Sequence, residues 1–227
     1  MKTSSIFFPP SIRAARRAAI VGSALLLCAC AAPPTAQFDY TAFRESRPRS
    51  ILVMPPINKS PEINATASFL TTSTVPLAES GYYVIPVTLS EETFKQNGVT
   101  VAEEAHALEL GKLREIFGAD AALYLTVISF GSSYRVVSSV VEVAAAAKLV
   151  DLRSGQELWS SQVFFTSGSS SSGGLIGMLI SAAVSQIGNT VSDKSHDVGR
   201  RANYRMLSAG HPNGILYGPY RAEFGTD

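Results

Sequence analysis

The residues with the most distinctive chemistry in this sequence are its two cysteines, Cys28 and Cys30. Two positions apart, their thiols cannot easily close a normal disulfide with each other. They follow a basic stretch without acids over residues 1–17 and an uncharged, mostly apolar run over 18–27. This order is typical of a secretory signal peptide, because the apolar run is about half as long as a bilayer-spanning helix. The cysteines therefore lie where such a peptide is processed.

The stretch Leu27-Cys28-Ala29-Cys30 resembles the lipobox of bacterial lipoproteins. Cys30 is the residue that we predict to be lipidated, because small Ala29 precedes it, whereas Cys28 follows the large Leu27. The resemblance implies a signal peptide over 1–29 and a diacylglycerol on the sulfur of Cys30. Two or three acyl chains make such an attachment effectively permanent. A plain signal peptide cleaved nearby stays an alternative, and twin-arginine export is only weakly supported.

Ala31 follows the cysteine at the position where an aspartate typically retains a lipoprotein in the inner membrane. The resemblance therefore implies a lipid anchor in the outer membrane, with the protein on its periplasmic face. Because Cys30 would become a thioether, the mature chain would have no thiol for disulfides, catalysis or zinc. Residues 31–49 carry three prolines and few aliphatics. We predict a lipidated flexible tether over 30–49 and a single periplasmic domain over 50–227.

Other residue types that could do chemistry are sparse. Ser195-His196-Asp197 has the residues of a hydrolase triad, but adjacent side chains on a helix diverge and cannot form the relay. His106 lies near Glu103 on a predicted helix, where a solvated polar face explains both residues. No two histidines are spaced for a helical metal site, and no phosphate-binding glycine motif occurs. We therefore predict no catalytic residue, no cofactor and no metal.

A long amphipathic helix is predicted after the serine- and glycine-rich stretch 167–174, from residue 175 to about Leu207. Its simplest role is to cover a sheet. Small residues four apart form a ridge that would let another helix approach closely, within the protein or between subunits. This ridge consists of Gly173, Gly177, Ser181 and Ser185. Its apolar part is too short to span a bilayer.

Arg201 and Arg205 share a face of this helix and could pair with acids or with lipid phosphates. A solvated helix end is the alternative. The signal peptide contains four of the 19 basic residues, so the mature chain would have 15 basic and 18 acidic residues and a formal charge of −3. A mildly acidic protein gives no electrostatic reason to expect nucleic-acid binding.

The elements predict an α/β fold of the α+β-like kind, with one mixed sheet of about five strands covered by helices. An apolar strand at residues 50–54, a helix that begins at Pro61 after an N-cap at Ser60 and runs to about residue 80, and a strand at residues 82–86 predict a β-α-β unit. A helix over 100–118 follows. An antiparallel meander is then expected over 121–166, with turns at 131–133 and 151–155. The long C-terminal helix completes the fold.

Four segments together carry a family resemblance, namely RSILVMPPINKSPE, GADAALYLTV, AKLVDLRSGQELWS and LYGPYR. They resemble a family of bacterial outer-membrane lipoproteins of unassigned function, distantly similar to the curli-secretion lipoprotein CsgG and the N-terminal domain of TolB. The resemblance covers most of residues 49–221. It implies a mixed sheet backed by helices, assembly at the outer membrane, and a homo-oligomer or a CsgG-like lipoprotein as partner. It carries no catalytic residue.

Three functions follow as hypotheses. The first is a non-catalytic accessory subunit of a secretion or envelope complex. The second is a periplasmic ligand-binding module of an envelope transport system, with a pocket lined by Tyr82, Tyr83 and Tyr124. The third, a hydrolase using Ser195 and His196, is not expected.

Overall fold

The computed structural model describes residues 38–135, 138–166 and 191–227. Its helices are α1 (Thr41–Ser46), α2 (Ala65–Glu79), α3 (Val87–Gln96), α4 (Ala102–His106), α5 (Leu110–Phe117) and α6 (Val191–Leu207). Its strands are β1 (Ser50–Val53), β2 (Ile57–Asn58), β3 (Tyr83–Val84), β4 (Ala121–Arg135), β5 (Ser138–Asp151) and β6 (Glu157–Thr166).

The strands form one mixed sheet of six strands in the order β3-β1-β4-β5-β6, with β2 paired to β4 beside β1. β1 runs parallel to β3 and β4, whereas β4, β5 and β6 are antiparallel. The predicted single α+β domain with a β-α-β unit and a meander is confirmed. The sixth strand, β2, resumes pairing with β4 after Pro55-Pro56 has interrupted β1.

The helix of the β-α-β unit begins at Ala65, later than the sequence pattern suggested. Asn58 accounts for the delay, because its side chain accepts hydrogen bonds from the backbone N–H and hydroxyl of Ser60. The same side chain donates to the carbonyl of Glu62. These local bonds hold the intervening residues in a turn, where their backbone groups have partners outside a helix.

The predicted turn at 131–133 is wrong, because β4 continues through Gly131 to Arg135. Gly131 pairs with Glu142 and has a φ of 131°, a conformation that glycine adopts without a side-chain clash. The two long strands β4 and β5 therefore form a hairpin. A bulge near Ile128 shifts the register by one residue. The predicted turn at 151–155 is present, with Gly155 at a φ of 75°.

The predicted helix over 100–118 is two shorter helices. Glu109 has an extended backbone, which separates α4 from α5. Gly118 ends α5 in the left-handed conformation, with a φ of 64°. Because of this break, α4 and α5 cover the sheet as two separate helices.

One face of the sheet, here called the covered face, packs against α2 and α6 and holds most of the core. Trp159, Phe69 and Leu149 are fully buried there. The opposite face, here called the outer face, is covered near β1 by a second cluster that includes Leu52, Phe94 and Leu113. Farther along β4–β6, the outer face carries exposed apolar side chains, among them Ile128 and Phe164.

The C-terminal helix is described from Val191 to Leu207. It crosses α2, where the side-chain amide of Asn203 donates to the carbonyl of Phe69 and to the hydroxyl of Thr72. The earlier part of the predicted helix, and the stretch 167–174 before it, lie outside the described residues.

Residues 38–49 belong to the folded domain, so the predicted tether is wrong for them. Tyr40 and Phe43 are buried, and the hydroxyl of Tyr40 donates to the carbonyl of Gly214. The backbone N–H of Phe38 donates to the side chain of Asn213. These partners are more than 170 positions away in the sequence, so no local sequence pattern predicts the contacts. The tether stays a prediction for residues 30–37.

Candidate functional site

An open groove of about 890 Å³ lies on the outer face of β4–β6, beside α4 and α5. Polar side chains dominate its lining. They are His106, Tyr124, Thr126, Lys148, Glu157, Ser160 and Gln162. Two further cavities are smaller, at about 480 Å³ between α2 and α6 and about 270 Å³ near α1. We take the groove as the candidate functional site because it gathers polar groups from four elements, α4, β4, β5 and β6.

Strand register fixes the floor of the groove. In β4–β6, Tyr124 pairs with Lys148, and Lys148 pairs with Ser160, so these three side chains form one row across the sheet. Two residues along, Thr126, Ala146 and Gln162 form a second row. Alternate residues of a strand point to one face, so both rows line the outer face.

One wall is set by His106 at the end of α4. Its Nε2 donates to the carbonyl of Pro55 at 2.9 Å, and since a carbonyl only accepts, this bond fixes the proton on Nε2. The ring stands edge-to-face on Tyr124 with centroids 5.0 Å apart. The ammonium of Lys148 lies 5.7 Å from the Tyr124 ring centroid, within cation–π range. The three side chains therefore form one ordered unit.

The charge states in this unit follow from burial. Burial lowers the pKa of His106, and Lys148 lowers it further, against opposing effects from the bond to Pro55 and from Glu103. Burial raises the pKa of Tyr124. At neutral pH the lowered pKa of His106 favours a neutral imidazole and the raised pKa of Tyr124 favours a neutral phenol. Such a set binds and orients a ligand through hydrogen bonds and one positive charge.

A serine–histidine contact lies in the cavity between α2 and α6. The Ser68 hydroxyl is 2.8 Å from Nδ1 of His196. This pair has the residue types of a nucleophile and its base, but Ser68 sits inside α2, where its N–H donates to the carbonyl of Asn64. That N–H cannot help to stabilise an oxyanion, and the geometry gives no support for acyl transfer.

The triad residue types of α6 are not brought together. Ser195 is buried, whereas His196 is exposed and contacts Ser68. Asp197 faces solvent and pairs with Arg200 at 3.4 Å. The predicted divergence of these three side chains is therefore confirmed. Among the described residues, no group of three or more histidine, cysteine or acidic side chains could hold a metal.

The other predicted site residues are scattered or lie outside the described residues. Arg201 and Arg205 are exposed on α6. Cys30 and the small-residue ridge Gly173, Gly177, Ser181 and Ser185 lie outside the described residues. Within the described ranges, no helix combines the length and apolar character that crossing a membrane requires.

The predicted pocket of three tyrosines is wrong. Tyr82 is buried, and its hydroxyl donates to the carbonyl of Leu216 at 2.6 Å. Tyr83 is exposed in β3, next to β1. Tyr124 alone lines the groove. Tyr82 belongs to the core cluster of the covered face, whereas Tyr124 packs against the cluster of the outer face, so the two cannot share a pocket.

The segments that carried the family resemblance hold the fold together. In GADAALYLTV, the carboxylate of Asp120 accepts from the backbone N–H groups of Arg49 and Ser50. In AKLVDLRSGQELWS, the indole N–H of Trp159 donates to the carbonyl of Asn213 at 3.0 Å. These contacts are structural, which explains why the resemblance pointed to a fold without a site.

The segment LYGPYR clamps the chain end against the turn after α2. The N–H of Gly218 donates to the carbonyl of Ser80 at 2.8 Å, and that of Tyr220 donates to the carbonyl of Gly81. A Cβ on Gly218 would overlap the backbone of Gly81. Only glycine fits there.

The polar site residues that sequence reasoning missed are Thr126, Lys148, Glu157, Ser160 and Gln162. Part of their signal was present in the alternation of β5 and β6, where Lys148 and Ser160 lie next to the fully buried Leu149 and Trp159. That alternation identifies a solvated sheet face. It does not reveal that α4 lies close enough to turn this face into a groove.

Comparisons with known proteins identify the family. A family model described as "Putative lipoprotein GNA1162-like" matches residues 38–220. Over 200 residues the chain is 48% identical to "Putative lipoprotein NMB1124/NMB1162" of Neisseria meningitidis serogroup B, covering 88% of this chain and 93% of that protein. The crystal structure of lipoprotein GNA1162 from Neisseria meningitidis is 52% identical with a TM-score of 0.52, covering 63% of this chain and all of that one.

A PelC dodecamer from Paraburkholderia phytofirmans is 14% identical with a TM-score of 0.44, covering 75% of this chain and 91% of that one. These matches do not show the expected distant similarity to CsgG and TolB. The prediction of a bacterial lipoprotein family is confirmed, because the family model and the 48% identical relative agree. This chain belongs to the GNA1162-like lipoprotein family.

Proposed function

We propose that this chain is a non-catalytic accessory subunit of a secretion or envelope complex, anchored in the outer membrane through lipid on Cys30 and facing the periplasm. Membership of a lipoprotein family supports the anchor. Ala31 after the cysteine supports the outer membrane over the inner one. The proposal assigns no nucleic acid, cofactor or metal.

The observation that carries the proposal is an exposed apolar strip on the outer face, beyond the groove. Phe164 in β6 is 67% exposed and pairs with Ala144 in β5. Ile128, at the bulge of β4 opposite Ala144, is 47% exposed. Large exposed apolar side chains on either side of Ala144, on one face of the sheet, favour contact with another protein, because burying one such side chain contributes about 1.5–3 kcal/mol.

The partner in this proposal is a second copy of the chain or another envelope lipoprotein, of which a CsgG-like lipoprotein is one candidate. Both would be tethered to the same membrane. Attachment to one surface raises their effective concentration, so a strip of modest area is sufficient.

Photo-crosslinking in intact cells tests the proposal. A benzoylphenylalanine placed at position 164 should give a defined crosslinked band with an envelope protein or with a second copy. The same group at Ile63, which is 85% exposed on the loop before α2, is the matched control and should give none. Equal labelling from the two positions would show that the strip has no specific partner.

A second candidate function is a periplasmic ligand-binding module, and the groove favours it. Its cation, aromatic ring and polar side chains surround a volume large enough for a small molecule. Native mass spectrometry of the full-length protein released from membranes should then show a retained molecule. A spectrum with only the mass of the lipidated chain would count against this function.

A further inference from the structure

We propose that the groove on the outer face of β4–β6 binds a glycan that bears a carboxylate, with Lys148 as the residue that recognises the acid. This inference rests on the second candidate function and names the ligand class for it. Five observations carry it: the paired backbone of β5, the polar rows, the ring of Tyr124, the shallow centre at Ala146 and the charge of Lys148.

The backbone of β5, which runs through the centre of the groove floor, already has hydrogen-bonding partners on both sides. β5 pairs with β4 on one side and with β6 on the other throughout the floor. A peptide that adds as a strand needs an unpaired sheet edge for its main chain. At β5, in the centre of the floor, no such edge is available, so a ligand that lies there is recognised by side chains; the edge strand β6 forms only the margin of the floor.

Those side chains suit a ligand rich in hydroxyl and amide groups. Thr126 and Ser160 supply hydroxyls, and Gln162 supplies an amide that both donates and accepts. Between them, Ala146 leaves a shallow apolar centre. The half-buried ring of Tyr124, which contacts His106 and Lys148, adds apolar surface beside the polar rows. Sugars combine apolar ring faces with dense hydroxyl groups, which matches this arrangement.

The size of the floor suggests two sugar units. Three adjacent strands span about 10 Å, and the two rows of side chains lie about 7 Å apart. A disaccharide is about 10 Å long. The open side of the groove would let a longer glycan continue beyond it.

Lys148 gives the site its charge preference. Its ammonium is exposed and lies over the Tyr124 ring, and among the described residues no carboxylate lies within ion-pair distance of it. Glu157 lines the groove near its end, opposite Val150. A ligand with its carboxylate at Lys148 and hydroxyls toward Glu157 therefore satisfies both charges.

Two disaccharides that differ by one group test the inference. N-acetylglucosaminyl-N-acetylmuramic acid carries a lactyl carboxylate that N,N′-diacetylchitobiose lacks. Titration of the full-length protein in detergent should show at least tenfold tighter binding of the acidic sugar, and a weaker preference at high salt. Lys148→Ala should remove the preference, and Lys95→Ala on α3, an exposed lysine outside the groove, should leave it unchanged.

Two results would overturn the inference. One is equal binding of both disaccharides by the unchanged protein, and the other is an acid preference that survives in Lys148→Ala. If neither sugar binds but native mass spectrometry shows another retained molecule, the ligand class is wrong and the ligand-binding function stands. If neither sugar binds and nothing is retained, both fail, while crosslinking from position 164 still tests the accessory function independently.

Discussion

Asp151 offers the most quantitative test of how the N-terminal segment is held to the sheet. Burial would raise the pKa of this carboxyl, but hydrogen bonds outweigh it and lower the pKa from 3.8 to about 2. The donors are the Ser46 hydroxyl, the Ser154 N–H, and the side chain and backbone of Arg153. Asp151 thereby ties α1 to the turn between β5 and β6, with its side chain only 3% exposed.

The lowered pKa predicts the sign and the magnitude of the contribution of Asp151 to the free energy of unfolding. A carboxyl with a lowered folded-state pKa stabilises the fold above its unfolded pKa of 3.8, and this contribution is lost as the pH falls through about 2. The shift corresponds to about 2 kcal/mol, at about 1.4 kcal/mol per unit. Asp151→Asn should therefore lower the free energy of unfolding by at least about 2 kcal/mol at pH 7. The difference in free energy of unfolding between Asp151→Asn and the unchanged protein should decrease by about 2 kcal/mol as the pH falls from 5 to 2.

Urea unfolding followed by tryptophan fluorescence measures this effect. Trp159 is the single tryptophan and is fully buried, so its emission reports the core directly. Asp197→Asn is the matched control, because its carboxylate is 59% exposed and pairs only with another exposed side chain. It should change the free energy of unfolding by less than about 0.5 kcal/mol. Parallel pH curves for Asp151→Asn and the unchanged protein would refute this account of Asp151.

Two further predictions concern the chain end and the groove. Gly218→Ala should lower the free energy of unfolding by about 2–4 kcal/mol, because its methyl group would overlap the backbone of Gly81. Gly111→Ala in α5, with open space around it, should raise the free energy of unfolding slightly in the same urea unfolding experiment; equal effects of the two variants would contradict the overlap. Because the pKa of His106 is lowered in the fold, the protein should lose stability as the pH falls below about 6.5. His106→Gln should flatten that part of the curve, and an unchanged slope would show that another group titrates there.

Local patterns predicted the sheet because its strands alternate cleanly. Buried valines and leucines of β4 and β5 recur at every second position, and the turn at 151–155 carries glycine. The errors arose where the same residue type is compatible with two local structures. Gly131 is typical of a turn, yet the same freedom lets a strand continue through it at a positive φ.

The N-terminal boundary and the site depended on contacts far apart in sequence. Tyr40 and Phe43 lie in a stretch rich in proline and charge, and only their packing against the C-terminal segment places them in the core. The groove likewise combines α4 and α5 with β4, β5 and β6. A single sequence identifies the polar face of each strand but does not fix which helix lies beside it.

The central claim is that a folded binding domain is held to a membrane by lipid on one cysteine. Intact mass spectrometry of protein extracted from membranes tests it most directly. The account predicts a chain that begins at Cys30 and carries the added mass of a diacylglycerol, with or without a third acyl chain. A chain that begins elsewhere, or one that begins at Cys30 without lipid, would contradict it.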